Sequence, residues 1–418
     1  MKKQKFELAA FVGIDWADRE HAVCWRAADE VGMHQETLKQ EPAALAAWAA
    51  GLQQRFGGRS VGVCLEQSRG PLIYALSAYP WLVLYPVNPK SLARYREALA
   101  PSRAKDDPSD AALLCQFLAL HRHALRPWQA DDPVTRQLRL LLENREKLVD
   151  QRTALTHQLR ALLKGYFPQA LDWAGDLLRP MAWAFLLKWP SLEALQTASK
   201  KRLLNFYYAH GVRRGDLIAQ VPDQVRTAIP LIQDHALIET SILLAQALCR
   251  QLQALQPFID RHNAQIKALF DQHPDRELFR GIPGAGPVMA PRLLAAFGSD
   301  RTRYSDASDV QQLAGIAPVT ERSGKSCWVH WRWAASSFLR QSFHEHALHS
   351  LAHSAWAKAY YDQLRSRGKA HHAAVRALAF KWIRVLYACW RDYRPYDEAA
   401  YLDALRRRSS PLARLCAT

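Results

Sequence analysis

The chain has 418 residues, enough for two or three domains with buried cores, and carries 56 Lys and Arg against 39 Asp and Glu, a formal net charge of +17. That surplus favours a polyanion, most simply nucleic acid, and argues against an acidic or membrane-spanning protein; no run of 18 apolar residues is present to cross a bilayer. The 7 cysteines stand singly with no C-x-x-C, and the opening M-K-K-Q-K-F-E-L-A-A lacks the apolar run of a signal peptide, so a disulfide framework and a zinc ribbon are excluded and a reduced, intracellular protein is expected.

Residues 9–28 read as a buried strand, a short polar turn and a second strand, with Asp15 ending the first apolar run. A carboxylate there is costly unless it is paired, metal-bound or turned to solvent. Residues 36–56 are alanine-rich and read as a helix. Ser60–Glu66 is another apolar strand that again ends in a carboxylate, Glu66, and Trp81–Val87 is the next. A basic stretch with Arg94, Arg96, Arg103 and Lys105 then leads into K-D-D-P-S-D-A-A-L-L. Pro108 suits a first helical turn, and Asp107 and Asp110, three apart, share one helix face. Two readings stand side by side. Asp107 can be an N-cap with Asp110 mimicking a capping box, or the pair can join Asp15 and Glu66 in holding a divalent cation. Four carboxylates at strand ends and a helix start, in an alternating β/α layout, favour the metal site.

Residues 134–163 carry leucines at spacings of three, four and seven, with arginines on the other faces. This is an amphipathic helix of coiled-coil type, and pairing with a partner helix is preferred over packing within the chain. A Trp-rich middle follows. A second long helix is expected over 233–272, interrupted or kinked at Pro257; the two long helices suggest an extended hairpin. Gly281–Ala290 is a Gly-rich turn opening a helix, similar to the turn of helix-hairpin-helix modules, where Gly284 and Gly286 can offer backbone N–H groups to a phosphate. In T-E-R-S-G-K-S-C-W-V-H-W-R, Ser323 precedes a glycine and is flanked by Arg322 and Lys325, with Arg332 beyond. Basic neighbours can hold a phosphate within reach of a serine hydroxyl; an ordinary turn serine is the plainer reading. His346, His349 and His353 share a helical face, read as polar rather than metal-binding. A helix over 374–390 mixes Arg376, Lys381 and Arg384 with Trp382 and Tyr387, a mixture that suits nucleic-acid contact or packing. The tail, with Arg406-Arg407-Arg408, reads as flexible.

G-I-D, a Glu after a strand, K-x-D-x-x-D-A, a helical linker, P-G-x-G and a Ser-Gly turn occur here in that order. The set resembles the DEDD transposases of bacterial insertion sequences, a Piv-like, bridge-RNA-guided recombinase family, over roughly residues 9–395. The resemblance implies an α/β plus all-α fold: an RNase H-like (RuvC-like) domain at 9–130, a helical coiled-coil linker at 131–272, and a mostly helical transposase domain at 273–395, with a tail at 396–418. It implies Mg²⁺ (or Mn²⁺) held by Asp15, Glu66, Asp107 and Asp110, and a nucleophilic Ser323 that forms a phosphoserine-DNA intermediate; Ser326 is the lesser alternative. It further implies donor and target DNA, a structured guide RNA, a homo-oligomer passing from dimer to tetramer, and a bacterial cytoplasmic, nucleoid-associated setting. Asp106 stands where the family has threonine, and W-V-H-W-R replaces its arginine- and glycine-rich run. Two other readings are a metal-dependent junction-resolving nuclease, which needs only the carboxylates, and a non-catalytic nucleic-acid-binding protein.

Overall fold

The computed structural model describes residues 7–412, apart from 67–69, 100–105, 214, 325, 333 and 334. The chain divides into two units, Met1–Asp131 and Asp132–Thr418.

The first unit is built on a five-stranded sheet. Its strands are β1 (Ala10–Asp15), β2 (Glu20–Ala27), β3 (His34–Lys39), β4 (Val61–Leu65) and β5 (Leu82–Pro86). Their order is β3-β2-β1-β4-β5; β1–β2 and β2–β3 are antiparallel, while β1–β4 and β4–β5 are parallel. The central strand β1 is apolar on both faces because both are covered. On one side Ala10, Val12 and Ile14 pack with Leu45 and Leu52 of α1 (Pro42–Arg55) and with Leu72, Ile73 and Leu76 of α2 (Pro71–Leu76). On the other, Phe11 packs with Leu92 of α3 (Pro89–Leu99) and with Leu114, Cys115 and Leu118 of α4 (Asp107–His121). The alanine-rich helix begins at Pro42, later than the sequence suggested. Residues 34–39 form an edge strand instead, with Leu38 alone buried, because pairing with β2 outweighs local helix preference.

In the second unit, α5 (Pro133–Tyr166) is joined to α12 (His235–Gln272) through six helices, α6 to α11, lying between residues 170 and 227. The sequence reading preferred a partner helix for α5. The structure instead pairs it with α12 of the same chain, antiparallel, through Thr135–His273 (2.8 Å), Arg145–Asn263 (2.8 Å) and Arg152–Gln256 (3.0 Å). An apolar stripe says that a helix needs a neighbour; it does not say which. The expected break at Pro257 is also absent, and α12 runs through it. Leu252 and Ile259 hold the helix on its buried side, while Pro257 and Gln253 are exposed, so the carbonyl that the proline leaves unbonded faces water.

The hairpin takes part in two apolar cores. Leu159, Leu163, Ala245, Leu248 and Leu252 pack with the Trp-rich middle around Trp183 and Phe185. Leu138, Leu142, Ile266 and Phe270 belong to the core of the C-terminal elements. These are α13 (Arg276–Arg280), α14 (Gly286–Phe297), α15 (Ala307–Leu313), the hairpin β6 (Val319–Ser323) and β7 (Ser326–His330), α16 (Ser337–Ser350), α17 (Ala355–Ser366), α18 (His371–Asp392) and α19 (Glu398–Arg407). The tail is thus helical to Arg407 rather than flexible. Asp397 caps α19 at Ala400, Tyr401, Leu402 and Leu405 lean on the core, and Leu412 is buried.

Arg292 of α14 is only 4% exposed and pairs with Glu146 of α5, whose other oxygen accepts a hydrogen bond from Gln341 of α16 (2.7 Å). Glu146→Ala would strand that guanidinium. The expected cost is about 3–5 kcal/mol, read as a lowered denaturant midpoint. Glu146→Leu with Arg292→Met should cost far less, since no charge is left unpaired. Equal losses in the two variants would mean that the ion pair is not what the contact depends on.

Candidate functional site

Gly13 decides where the carboxylates stand. A Cβ on Gly13 would lie 2.1 Å from the Ala111 carbonyl oxygen and 2.4 Å from the Cys115 nitrogen, so α4 rests backbone to backbone on β1. The Cys115 thiol reaches the Phe11 carbonyl (3.2 Å). Higher residues of α4 therefore meet lower residues of β1, and the helix runs antiparallel to the strand. Its first turn, with Asp107 and Asp110, falls at the sheet edge where β1 ends in Asp15. Parallel pairing of Ile14 with Leu65 brings Glu66 to the same edge on the neighbouring strand. Four residues scattered over the sequence are thus placed at one end of one sheet.

The start of α4 corrects the capping assignment. The N-cap is Asp106, which accepts from the Ser109 amide (2.7 Å), and Ser109 closes the capping box in return. Asp106 is thereby engaged, and Asp107 is left exposed and outside the cap. Threonine and aspartate are both good caps, so an aspartate at this position preserves the helix start. Asp110 is buried, 3% exposed, and its carboxylate is bound by the Arg96 guanidinium from α3. Sequence reading placed Arg96 in a basic stretch and missed this role; no spacing rule links positions fourteen apart on two helices.

The donors at this edge are all carboxylates, the hard oxygen set that Mg²⁺ and Mn²⁺ take, and their shared edge suits that use. As placed, however, they do not close into a ligand group: among the described residues no three His, Cys, Asp or Glu side chains are grouped as metal ligands. Arg96 supplies the compensating charge for Asp110.

In the second unit Ser323 ends β6 and pairs across the hairpin with Ser326, with residues 324 and 325 between them. Ser323, Arg322 and Ser326 are exposed at this tip. Lys325 and Lys105 lie outside the described residues. Toward the hairpin base, His330 pairs with Glu321 (2.9 Å), and that carboxylate raises the imidazole pKa above its ordinary value. Arg332 follows β7, half-buried.

The P-G-A-G turn links α13 and α14. A Cβ on Gly284, whose φ is +77°, would lie 2.6 Å from the Ser350 amide nitrogen, so this glycine serves close packing against the end of α16. Gly286 is exposed at the start of α14. His346 was expected on a polar helix face with His349 and His353. It is fully buried, hydrogen-bonded to the Pro283 carbonyl (3.1 Å) and edge-on to Trp382 (5.1 Å), and burial pushes its pKa down to about 4. His349 and His353 do face water. Trp382 and Tyr387 of α18 are core residues.

The comparisons with known proteins match both units. A DEDD transposase model of the IS110 group, described as "Transposase", covers residues 12–168. A second, described as "Transposase IS116/IS110/IS902 family", covers residues 276–362. The chain is 30% identical over 423 residues to the mini-circle putative transposase for IS117 of Streptomyces coelicolor, covering 94% of this chain and 96% of that protein. It is 27% identical over 397 residues to the insertion element IS900 uncharacterized 42 kDa protein of Mycobacterium paratuberculosis, covering 93% and 97%.

Proposed function

The chain belongs to the IS116/IS110/IS902 transposase family, and from that membership we propose that it exchanges DNA strands through a covalent phosphoserine intermediate on Ser323. The exchange is guided by a structured RNA and assisted by Mg²⁺ or Mn²⁺ at Asp15, Glu66, Asp107 and Asp110. The sheet order β3-β2-β1-β4-β5, with its mixed pairing, supports reading the first unit as RNase H-like.

The observation that carries the serine assignment is the hairpin: Ser323 is exposed at its tip beside Arg322, on a turn that a strand of DNA can reach. Ser323 Oγ forms a bond to phosphorus as a DNA P–O bond breaks. The serine loses its proton, and the departing strand end leaves as a hydroxyl. Attack on the phosphoserine by the hydroxyl of an incoming strand reforms the diester and returns the serine, so no external energy is consumed. The first-unit carboxylates would hold the cation, Asp110 exchanging its Arg96 partner for it. When bound, the cation would polarise phosphoryl oxygens and stabilise attacking and leaving oxygens. Base pairing with the RNA would select the sites while the protein grips backbone and shape.

The test is a denaturing gel of purified protein with its co-purified RNA, Mg²⁺ and labelled donor and target DNA. Labelled DNA should migrate with the protein. Cleavage with no adduct at any time would replace this reading by the hydrolytic nuclease.

The homo-oligomer has its own support. Leu237, Leu244 and Phe258 are each more than half exposed on α12, at multiples of seven residues, a stripe that a second copy would cover. Leu244→Glu with Phe258→Glu should lower the molar mass seen by light scattering and leave the circular dichroism spectrum unchanged. An unchanged mass would place the interface elsewhere.

A further inference from the structure

Two arginines flank Trp331 at the base of the serine hairpin, and Arg332 follows that tryptophan in the chain. The Arg376 guanidinium of α18 lies 3.1 Å from the centre of the Trp331 ring, and that of Arg340 on α16 lies 6.0 Å from it. A Cβ on Gly315 would meet the Arg332 backbone carbonyl at 3.3 Å and Arg340 Nε at 3.4 Å, so both lie beside the same glycine. In all three arginines Nε is buried without a hydrogen-bond partner. Arg340 does donate to the Ala335 carbonyl (3.3 Å), which fixes its position without balancing its charge.

Arg292 and Arg301 of this unit also have a guanidinium nitrogen without a hydrogen-bond partner, but each has a carboxylate to balance its charge. Arg292 holds Glu146 and Arg301 holds Asp275 (2.7 Å). Among the described residues Arg332, Arg340 and Arg376 have no carboxylate partner. Desolvation and the neighbouring Arg340 charge both depress the Arg376 pKa. Gathering like charges around a tryptophan with their N–H groups unsatisfied is costly in the free protein. The cost is offset when an anion arrives from outside. Planar guanidinium groups beside an aromatic ring match a phosphodiester backbone: forks for the oxygens and a face for stacking.

We propose that Arg340 and Arg376, flanking Trp331, form a clamp for the phosphate backbone of the DNA strand presented to Ser323, with Arg332 adjoining it in the chain. The proposal rests on the strand-exchange reading and names its positioning residues. Trp331 and Arg332 continue directly from β7, whose far end faces Ser323 across the turn. A five-residue strand spans roughly 15 Å, about four or five nucleotide steps of duplex. The clamp therefore grips the backbone to one side of the scissile phosphate and sets the register in which that phosphate meets the serine.

The test is salt-dependent binding of full-length protein, in a Ser323→Ala background, to a duplex of about two helical turns and to single-stranded DNA and RNA of the same sequence. Two variants are compared: Arg340→Gln with Arg376→Gln, and Arg340→Lys with Arg376→Lys. For the glutamine pair the slope of log affinity against log salt on DNA should shrink by roughly 1.8, two lost phosphate contacts. The lysine pair should keep most of the slope. Without DNA the glutamine pair should melt no lower than its parent, because like-charge repulsion has been relieved. An unchanged slope in the glutamine pair overturns the clamp, and a slope change confined to RNA overturns its assignment to DNA. If the glutamine pair melts early, the lysine pair decides through strand exchange in the Ser323 protein: normal exchange rules out a bidentate fork, and impaired exchange with intact binding supports it. The two proposals fail separately. An adduct on Ser323 with an unchanged slope sinks only the clamp; a reduced slope with no adduct sinks only the phosphoserine step.

Discussion

Ser323→Ala is expected to abolish the protein–DNA adduct and strand exchange together, by several orders of magnitude, while DNA binding and thermal stability stay close to wild type. The side chain is exposed at a hairpin tip, so its removal opens no cavity and strands no buried partner. Among the described residues of the hairpin the other serine is Ser326, which stands directly opposite in the strand register. Ser326→Ala is therefore the matched control: same hairpin, same loss of a hydroxyl, adduct retained. An adduct that survives Ser323→Ala and disappears with Ser326→Ala would transfer the role across the turn. Asp107→Ala adds the third arm. Both a metal-assisted recombinase and a hydrolytic nuclease need the carboxylate, but only the nuclease keeps cutting without Ser323. The pattern over three variants separates mechanisms that wild-type activity alone cannot.

The carboxylate edge was legible because a charged residue closing an apolar run is expensive and so rarely accidental. Asp15 and Glu66 follow uninterrupted apolar strands, and parallel pairing of those strands puts them side by side. The helix start was legible only to within one residue. Asp106, Asp107 and Asp110 are chemically alike, and the choice of cap depends on where the backbone turns extended, at Asp106 with φ −140° and ψ 156°. Strand β3 was hidden because H-Q-E-T-L-K buries a single leucine, and its stability comes from the edge of β2 rather than from its own pattern. The pairing of α5 with α12 was legible only as a suggested hairpin of two long helices; the apolar stripe of α5 by itself favoured a partner helix, because the matching helix lies about a hundred residues away, past the Trp-rich middle. Arg340 stood in no motif. Its meaning comes from Trp331 and Arg376, which α16, α18 and the end of β7 bring to it only in the folded chain.

Gly13→Ala places its added carbon closer to a neighbour than at any other described glycine of the first unit whose surroundings are defined. The added carbon would sit 2.1 Å from one backbone atom of α4 and 2.4 Å from another. Neither is a side chain, so no rotamer change and no trimming of a neighbour relieves the clash; the helix must lift from the strand. Lifting it opens the layer formed by Leu114, Cys115 and Leu118 against Phe11 and Cys64, where these residues are at most 6% exposed. A loss of about 3 kcal/mol or more is expected, at the upper end of overpacking, and is read as a lowered denaturant midpoint. The same movement carries Asp107 and Asp110 away from Asp15 and Glu66, so Mg²⁺ dependence of the adduct should shift to higher concentration even in the fraction that stays folded. Gly51 on α1 is the control, since a Cβ there meets nothing within 4 Å; Gly51→Ala should be neutral or slightly stabilising, as alanine favours a helix interior. If Gly13→Ala matched Gly51→Ala in midpoint, α4 could not be lying on β1 as described. The shared edge that gathers the four carboxylates would then lose its foundation, and with it the metal site proposed there, whatever the fate of the serine.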